Sequence, residues 1–388
     1  MNNARRTASL VAASFLSAGL VIATGAFLSG ALHAQEPPPA AANEGPASLP
    51  VTDIPFYPDW LTSPHARRSA QAFNNWNAAG AIPVECARCH STPGFLDFIG
   101  ADGTEIGKTD HPAPTGTVIT CVACHNGKTI ALTSVTFPSG LRVDKVDPAD
   151  ARCMTCHQGR ESTVSVGTAT AGIGDDEVSP RLSFINIHYR AAGATLMGTL
   201  ARGAYEYAGK KYDGPRQHVA PYNACSGCHN VHTAEVKVAD CQACHKEVTN
   251  KASIHLIRVG KTDRDGNGDV TDGVGQEMDR MAATLLNTIK SYAKTVSGKA
   301  IAYNADSFPY FFNDTNGNGT ADKDEAVAAN RFNAWTPRLL RAAFNYQFFL
   351  KDPGSFSHNP NYINQILYDA IADLGAKVQV DLGKAKRP

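Results

Sequence analysis

The chain has 388 residues, and its 36 lysine and arginine side chains equal its 36 aspartate and glutamate side chains in number. This balance gives no indication of a surface for nucleic acid or anionic membranes, so neither class of partner is expected. The length is sufficient for two domains. The ten cysteines are more informative, because all of them fall in closely spaced pairs.

The N-terminus predicts export from the cytoplasm. Arg5 and Arg6 form a basic region, and no Asp, Glu, Lys or Arg occurs from residue 7 to residue 35. Small residues precede a cleavage point after Ala34, as is typical of a secretory signal peptide. The apolar run is also long enough for an uncleaved membrane anchor, and this alternative stays open. No later run has that length, so we expect a periplasmic or extracellular protein without an integral membrane span once the signal is removed.

Every cysteine belongs to a Cys-x-x-Cys-His motif. The five motifs are formed by Cys86, Cys89 and His90; Cys121, Cys124 and His125; Cys153, Cys156 and His157; Cys225, Cys228 and His229; and Cys241, Cys244 and His245. Two thiols three residues apart can add to the two vinyl groups of one haem, and the next histidine then lies under the iron as its axial ligand. The pattern therefore predicts five covalently attached haems c.

Other uses of paired cysteines fit this pattern less well. Zinc ribbons contain Cys-x-x-Cys but need no histidine directly after the second cysteine. Thioredoxin-like sites need one pair near a βαβ unit rather than five pairs. A disulfide framework suits an oxidising compartment but would not place a histidine after each pair.

The part of the chain that holds the motifs shows little periodicity, so we expect short helices joined by loops. Strands should be few and short, near Val118–Thr120 and Ile130–Val143. The last part is predicted to be helical, because apolar residues recur there at steps of three and four. The first apolar stripe comprises Met278, Met281, Leu285, Ile289, Tyr292 and Val296. These two methionines are interpreted as core residues rather than iron ligands.

Two further helices are predicted near the C-terminus. Thr336-Pro337 has the pattern of an N-cap followed by proline, and the stripe after it ends before Asp352-Pro353-Gly354. A last helix begins at Asn359-Pro360 and ends at Gly375. The apolar residues of these two helices are Leu340, Phe344 and Phe348, and then Ile363, Ile366, Leu367, Ala370 and Leu374.

These elements predict a mainly α fold with extensive loops, built around a haem array. We divide the chain into a signal peptide (1–34), a Pro/Ala-rich linker (35–52), a five-haem domain (53–250) and a helical C-terminal region (251–388). The helical region is expected to pack on the haem array.

Each haem iron with six ligands needs a second axial ligand. Apart from the motif histidines and His33 in the export segment, the chain has seven histidines: His65, His111, His188, His218, His232, His255 and His358. His232 follows the fourth motif by three residues and can reach a neighbouring haem, whereas His188 lies in the long gap between the third and fourth motifs. We expect His111 and His255 to be the spares. For any single candidate, a surface or hydrogen-bonded role remains an alternative.

Several runs resemble the multihaem c-type cytochromes of bacterial periplasmic and extracellular electron transfer. They include Ser63-Pro-His-Ala, the residues from Ile82 to Phe95, Asn186-Ile-His-Tyr, and the residues from Asp352 to Pro360. The resemblance implies that the distal ligands are His65, His188, His218, His232 and His358. It also implies a multihaem cytochrome c architecture and, as partners, redox proteins or extracellular electron acceptors. Some relatives stack into filaments, so a homo-oligomer or filament is a further expectation.

An acidic loop matches the twelve-residue calcium pattern D-x-N-x-N-G-x5-E, in which oxygen ligands alternate and glycine permits the turn. Its expected Ca²⁺ ligands are Asp314, Asn316, Asn318, Thr320 (through its backbone), Asp322 and Glu325. A second loop from Asp263 repeats the first half of the pattern, but its twelfth position is Val274, and Glu277 follows three residues later. The alternative for both loops is a solvated turn.

The sequence favours an electron carrier that passes electrons between closely spaced haems. Imidazole on both sides of the iron should give lower potentials than histidine with methionine. The competing hypothesis is a multihaem reductase of small oxyanions, which needs an iron with an open position. A filament-forming structural subunit is the third possibility.

Overall fold

The computed structural model describes residues 53–258 and 260–388. The predicted signal peptide, the linker and His33 lie outside the described residues. Within the described residues no helix is both long enough and apolar enough to cross a membrane.

Helices dominate the described chain, which confirms the predicted fold class. The α-helices are α1 (Tyr57–Thr62), α2 (Gln71–Asn74), α3 (Val84–His90), α4 (Thr92–Phe98), α5 (Cys121–Cys124), α6 (Gly127–Ile130), α7 (Pro148–Met154), α8 (Thr163–Thr170), α9 (Ala192–Met197), α10 (Cys225–Cys228), α11 (Val238–Gln242), α12 (Val274–Thr295), α13 (Pro337–Lys351), α14 (Ser355–His358) and α15 (Pro360–Leu374). Those before α12 have at most eight residues, as expected for the motif-rich part.

The strands are short and form three antiparallel pairs. They are β1 (Ala81–Ile82) with β2 (Ala113–Pro114), β3 (Ser134–Thr136) with β4 (Arg142–Asp144), and β5 (Ile301–Tyr303) with β6 (Phe311–Asn313). The β3–β4 hairpin lies where a strand was predicted, whereas the strand predicted at Val118–Thr120 is wrong. The amide of Ile119 donates to the carbonyl of His65 (3.2 Å) and that of Thr120 to Thr92 Oγ1 (2.8 Å), so no strand ladder forms there.

The three long helices α12, α13 and α15 pack on one another and bury the predicted apolar stripes. Met278, Leu285, Phe344 and Ile366 are among the residues with no exposed surface. The same hydrophobic core extends to residues of the motif-rich part, from Val135 onwards. The predicted domain boundary near residue 250 stays a prediction.

Polar caps fix where α13 and α15 begin. Thr336 Oγ1 accepts a hydrogen bond from the amide of Leu339 (3.2 Å), and the side chain of Asn359 accepts one from the amide of Tyr362 (3.2 Å). Each cap is followed by proline, whose missing N–H costs nothing in the first turn of a helix. The predicted starts of both helices are therefore confirmed.

Replacing a leucine in this helical core should destabilise the protein. Leu340 has no exposed surface, so Leu340→Ala removes buried apolar atoms and leaves a cavity, at a cost of about 2–5 kcal/mol. The matched control is Leu61→Ala, because Leu61 is 53% exposed and its loss should cost about 0.5 kcal/mol or less. Urea unfolding of the haem-loaded protein, followed by circular dichroism, measures both changes. Equal midpoints for the two variants would contradict the assignment of the core.

Candidate functional site

Each Cys-x-x-Cys-His motif forms one helical turn. In the last four motifs, the amide of the histidine donates to the carbonyl of the first cysteine at 2.8–2.9 Å. Residues three and four apart lie on the same face of a helix, so both cysteines and the histidine of a motif share one side. All ten cysteines have free thiols. This arrangement suits two thioether links and one axial ligand for the same porphyrin.

Each motif histidine faces a second histidine from elsewhere in the chain. The distances between ring centroids are 6.1 Å for His157 and His65, 5.7 Å for His90 and His188, 6.2 Å for His125 and His232, 6.3 Å for His245 and His218, and 6.4 Å for His229 and His358. The five partners are the five histidines that the sequence and the resemblance favour as distal ligands.

The spacing of these rings fits an iron ion between them. A metal–imidazole bond is about 2 Å long, and a ring nitrogen lies about 1.1 Å from the ring centre, so two coordinating imidazoles have centroids about 6.2 Å apart. The closest pair is His90 and His188, whose Nε2 atoms are 3.5 Å apart. Two nitrogens bound on opposite sides of one metal ion would be about 4 Å apart. The described residues therefore fit five haems with two imidazole ligands each.

Hydrogen bonds donated by Nδ1 orient two of these rings. Nδ1 of His90 donates to the carbonyl of Ala72 (2.8 Å), and Nδ1 of His157 donates to that of Arg190 (3.2 Å). A proton held on Nδ1 leaves the lone pair of Nε2 free for a metal, which is how outer acceptors usually fix a histidine ligand. These two acceptors are backbone carbonyls, which leave no signal in the sequence.

Burial keeps several of the paired rings neutral. It lowers the pKa of His65, and it lowers the pKa of His157 and of His188 to about 4. His358 differs, because burial also opposes its protonation but the adjacent Asp352 carboxylate outweighs burial and raises its pKa. A neutral imidazole is the form that binds a metal ion.

The two predicted spare histidines have other neighbours. Nδ1 of His111 lies 2.5 Å from a carboxylate oxygen of Asp110 and 3.2 Å from one of Asp97. The ring of His255 packs on Phe356, with centroids 3.9 Å apart. Neither lies in a histidine pair within the described part of the chain.

The third motif and its helix α7 contact three of the other four motifs. Cys156 Sγ lies 3.7 Å from the carbonyl of Arg88 in the first motif, and a hydrogen bond from the Cys156 thiol lowers the pKa of Cys89 in the same motif. Arg152 Nη1 donates to the carbonyl of Cys124 in the second motif (3.0 Å).

Contacts continue from the third motif to the fourth and fifth. The amide of Cys225 donates to Asp150 Oδ1 on α7 (2.8 Å), which joins the fourth motif to the helix of the third. The amide of Lys237, directly before α11, donates to the carbonyl of Cys228 (2.8 Å). The five Cys-x-x-Cys-His motifs are thus one contiguous group.

Comparisons with known proteins agree with this geometry. Residues 71–158, which include the first three motifs, match the family model described as cytochrome c7 and related cytochrome c. The C-type polyheme cytochrome OmcC of Geobacter sulfurreducens is 29% identical over 225 residues, and OmcB of the same organism is 27% identical over 217 residues. The chain is a multihaem c-type cytochrome.

The matched region has definite limits. The matches to OmcC and OmcB each cover 49% of this cytochrome. They cover only 26% of OmcC and 27% of OmcB, so the chain spans about a quarter of each relative's length. No solved structure matches. Membership of the class implies covalently bound haem c as the cofactor.

The acidic loop from Asp314 to Glu325 is closed by hydrogen bonds to its predicted calcium ligands. The carboxylate of Asp314 accepts hydrogen bonds from the amides of Gly317 (2.8 Å) and Gly319 (2.9 Å), and both glycines have positive φ. Glu325 Oε1 accepts from the amide of Thr315 (2.6 Å), so the first and twelfth positions of the loop lie close together. The side-chain amides (Nδ2) of Asn316 and Asn318 both donate to Asp322 Oδ2 at 2.8 Å.

The second acidic loop repeats this geometry with a displaced glutamate. Asp263 accepts from the amides of Gly266 (2.6 Å) and Gly268 (2.8 Å), and Glu277 Oε1 on α12 accepts from the amide of Arg264 (3.0 Å). Carboxylate oxygens of Asp263, Asp265 and Glu277 lie within 4.8 Å of one another.

Arginine side chains already supply positive charge to the second loop. Arg280 pairs with Asp265 and Asp272, and Nη1 of Arg258 lies 3.0 Å from Glu277 Oε2. Glutamate at position 277 therefore closes the loop through hydrogen bonds and ion pairs. The sequence pattern alone shows the displaced glutamate but not the arginines that meet it.

Proposed function

We propose that this cytochrome carries five haems c, each held by two cysteines and two histidines, and transfers electrons between redox partners. The observation that supports this most strongly is the set of five histidine pairs at iron-spanning distance. Numbered by motif, the first to fifth haems would have His188, His232, His65, His358 and His218 as distal ligands.

Each residue type has a separate task in this proposal. When bound, haem supplies an iron that alternates between the ferric and ferrous states by gaining and losing one electron. The cysteines tether the porphyrin, and the paired imidazoles hold the metal in both oxidation states. Histidine on both sides favours a lower potential than a methionine ligand, because methionine raises the reduction potential.

A carrier explains the histidine arrangement better than a reductase does. A reductase needs an iron with an open coordination position and an acid or base group near it. Here every motif histidine has a facing imidazole at 5.7–6.4 Å, so a haem at each of the five motifs would have a histidine available on both sides of its iron.

The contacts between motifs support a branched order of the haems. We infer that the third haem is the junction, because its motif or helix contacts the first, second and fourth motifs. The fifth follows the fourth through the contact of Lys237 with Cys228. This order differs from the order of the motifs in the sequence.

The proposed place of action is the periplasm or the cell exterior. The predicted signal peptide supports export, and attachment of haem to Cys-x-x-Cys-His motifs suits an exported chain. The partners would be redox proteins or extracellular electron acceptors. Self-association into filaments stays a prediction that electron microscopy of the purified protein can test.

The haem count and the ligation can be measured together. A pyridine haemochrome spectrum should give five haems per polypeptide, and electron paramagnetic resonance of the oxidised protein should show low-spin ferric iron throughout. Low spin is expected because two imidazoles complete the coordination of each iron. Fewer haems, or a substantial high-spin signal in the wild-type protein, would contradict the proposal.

Removing one distal histidine should affect one haem only. His232 faces His125, so His232→Ala should leave the second haem with a single axial histidine and convert one iron in five to high spin. His255→Ala is the control, because His255 packs on Phe356 and faces no other histidine among residues 53–258 and 260–388. Resonance Raman spectra report the spin state of each variant. A wholly low-spin spectrum for His232→Ala would remove His232 from the ligand set.

We also propose that the loop from Asp314 to Glu325 binds one Ca²⁺. Its support is the match of sequence and loop closure to a twelve-residue oxygen-ligand site. Bound calcium would fix the chain between α12 and α13.

Calcium titration of the purified protein tests this loop. Wild-type protein should bind Ca²⁺, and Glu325→Gln should weaken binding by about tenfold or more, since it removes one carboxylate ligand. Glu105→Gln is the control, because Glu105 is an exposed residue paired with Lys108. Equal calcium affinity in the Glu325 variant and the wild type would overturn this assignment.

A further inference from the structure

Asp352 is a buried carboxylate in contact with one of the paired histidines. It is only 2% exposed and lies directly after α13, where the chain turns into α14. Nδ1 of His358 donates to both its oxygens, at 2.8 Å and 3.0 Å. Within the described part of the chain, no lysine or arginine nitrogen lies within 4.0 Å of this carboxylate. The amide of Gly354 also donates to Asp352 Oδ1 (3.3 Å), and the negative charge acts on His157 and His229 without a hydrogen bond, so His358 is the ring that the carboxylate contacts directly.

Four of the other paired histidines have weaker or neutral acceptors. Nδ1 of His90, His157 and His229 faces a backbone carbonyl. A carboxylate also lies near His245, but Glu247 Oε1 is 3.6 Å from Nδ1 and the Glu247 side chain is 39% exposed. Water screens an exposed charge much more than a buried one. Asp352 is thus the buried carboxylate with two short contacts to a paired ring.

A carboxylate that accepts the Nδ1 proton makes an imidazole a stronger electron donor at Nε2. Outer partners of this kind raise the basicity of a metal-bound histidine and tune the metal. A stronger donor stabilises ferric iron more than ferrous iron, because the ferric ion carries the greater positive charge. A buried negative charge acts in the same direction, since Coulomb interactions are stronger where water is excluded.

We propose that Asp352 is a positioning residue that lowers the reduction potential of the fourth haem by holding and polarising His358. This inference rests on the proposed function, in which His358 and His229 are the axial ligands of that haem. It adds a residue outside the ligand set and assigns a direction to its effect. The fourth haem would hold its electron less tightly than it would with a neutral acceptor at position 352.

The test is Asp352→Asn in the full, haem-loaded protein. Asparagine keeps the size of the side chain and an oxygen acceptor but removes the charge. Spectroelectrochemical titration should show one of five one-electron components move to higher potential, with its ferrous-to-ferric ratio at fixed potential raised at least tenfold, which corresponds to 59 mV. Asp352→Glu, which keeps the charge, should restore the potential at least in part. A merely structural role would not distinguish these two variants by charge.

Glu247→Gln is the matched control, because it neutralises the more distant and exposed carboxylate beside His245. It should change every component by less than threefold in the same ratio. Should Asp352→Asn fail to take up its haems, Asp352→Thr is read in the same way, since it also removes the charge.

The outcomes separate this inference from the proposed function. Five low-spin haems with no shifted component in the Asp352 variant would overturn the role of Asp352 and leave the proposed function intact. Fewer than five haems in the wild-type protein, counted by pyridine haemochrome, would overturn the proposed function itself. A shift of equal size in Glu247→Gln would also overturn the assignment, since the effect would then be a general response to charge.

Discussion

One constraint underlies the whole motif-rich part of this cytochrome: in each histidine pair, two imidazoles face each other across a gap that fits one metal ion. Each pair joins a short helical motif to a residue distant in sequence, as in His90 and His188, which are 98 residues apart. Metal ligation that joins distant segments also contributes to folding, because the site does not exist in the unfolded chain. Haem binding and the fold of the motif-rich part are therefore coupled in this account.

The C-terminal helices contribute stability of a different kind. Their core is aliphatic and aromatic, so the burial of apolar surface stabilises it. His358 connects this core to the motif-rich part. It is the last residue of α14, which follows α13, and its ring faces that of His229. Asp352 lies at the same turn, so the helical core fixes both a proposed ligand and the charge behind it. The position of the fourth pair thus depends on helix packing.

The sequence predicted local features well and long-range ones poorly. The caps at Thr336 and Asn359 and the buried stripe of α12 are confirmed, because each depends on residues within a few positions of one another. The pairing of each motif histidine was not predictable, since it depends on how loops bring distant segments together. Asp352 lies only six residues before His358, but the contact between them depends on the turn between α13 and α14, and the burial of the carboxylate depends on distant segments, so neither leaves a signal in the sequence.

The central claim is that five irons lie between these five histidine pairs. Crystals of the purified protein, with diffraction measured on both sides of the iron absorption edge, would locate each iron directly. The account predicts five anomalous peaks per chain, one between the rings of each pair, including one between His229 and His358. Fewer peaks, or an iron bound by His111 or His255 in place of a paired histidine, would contradict it.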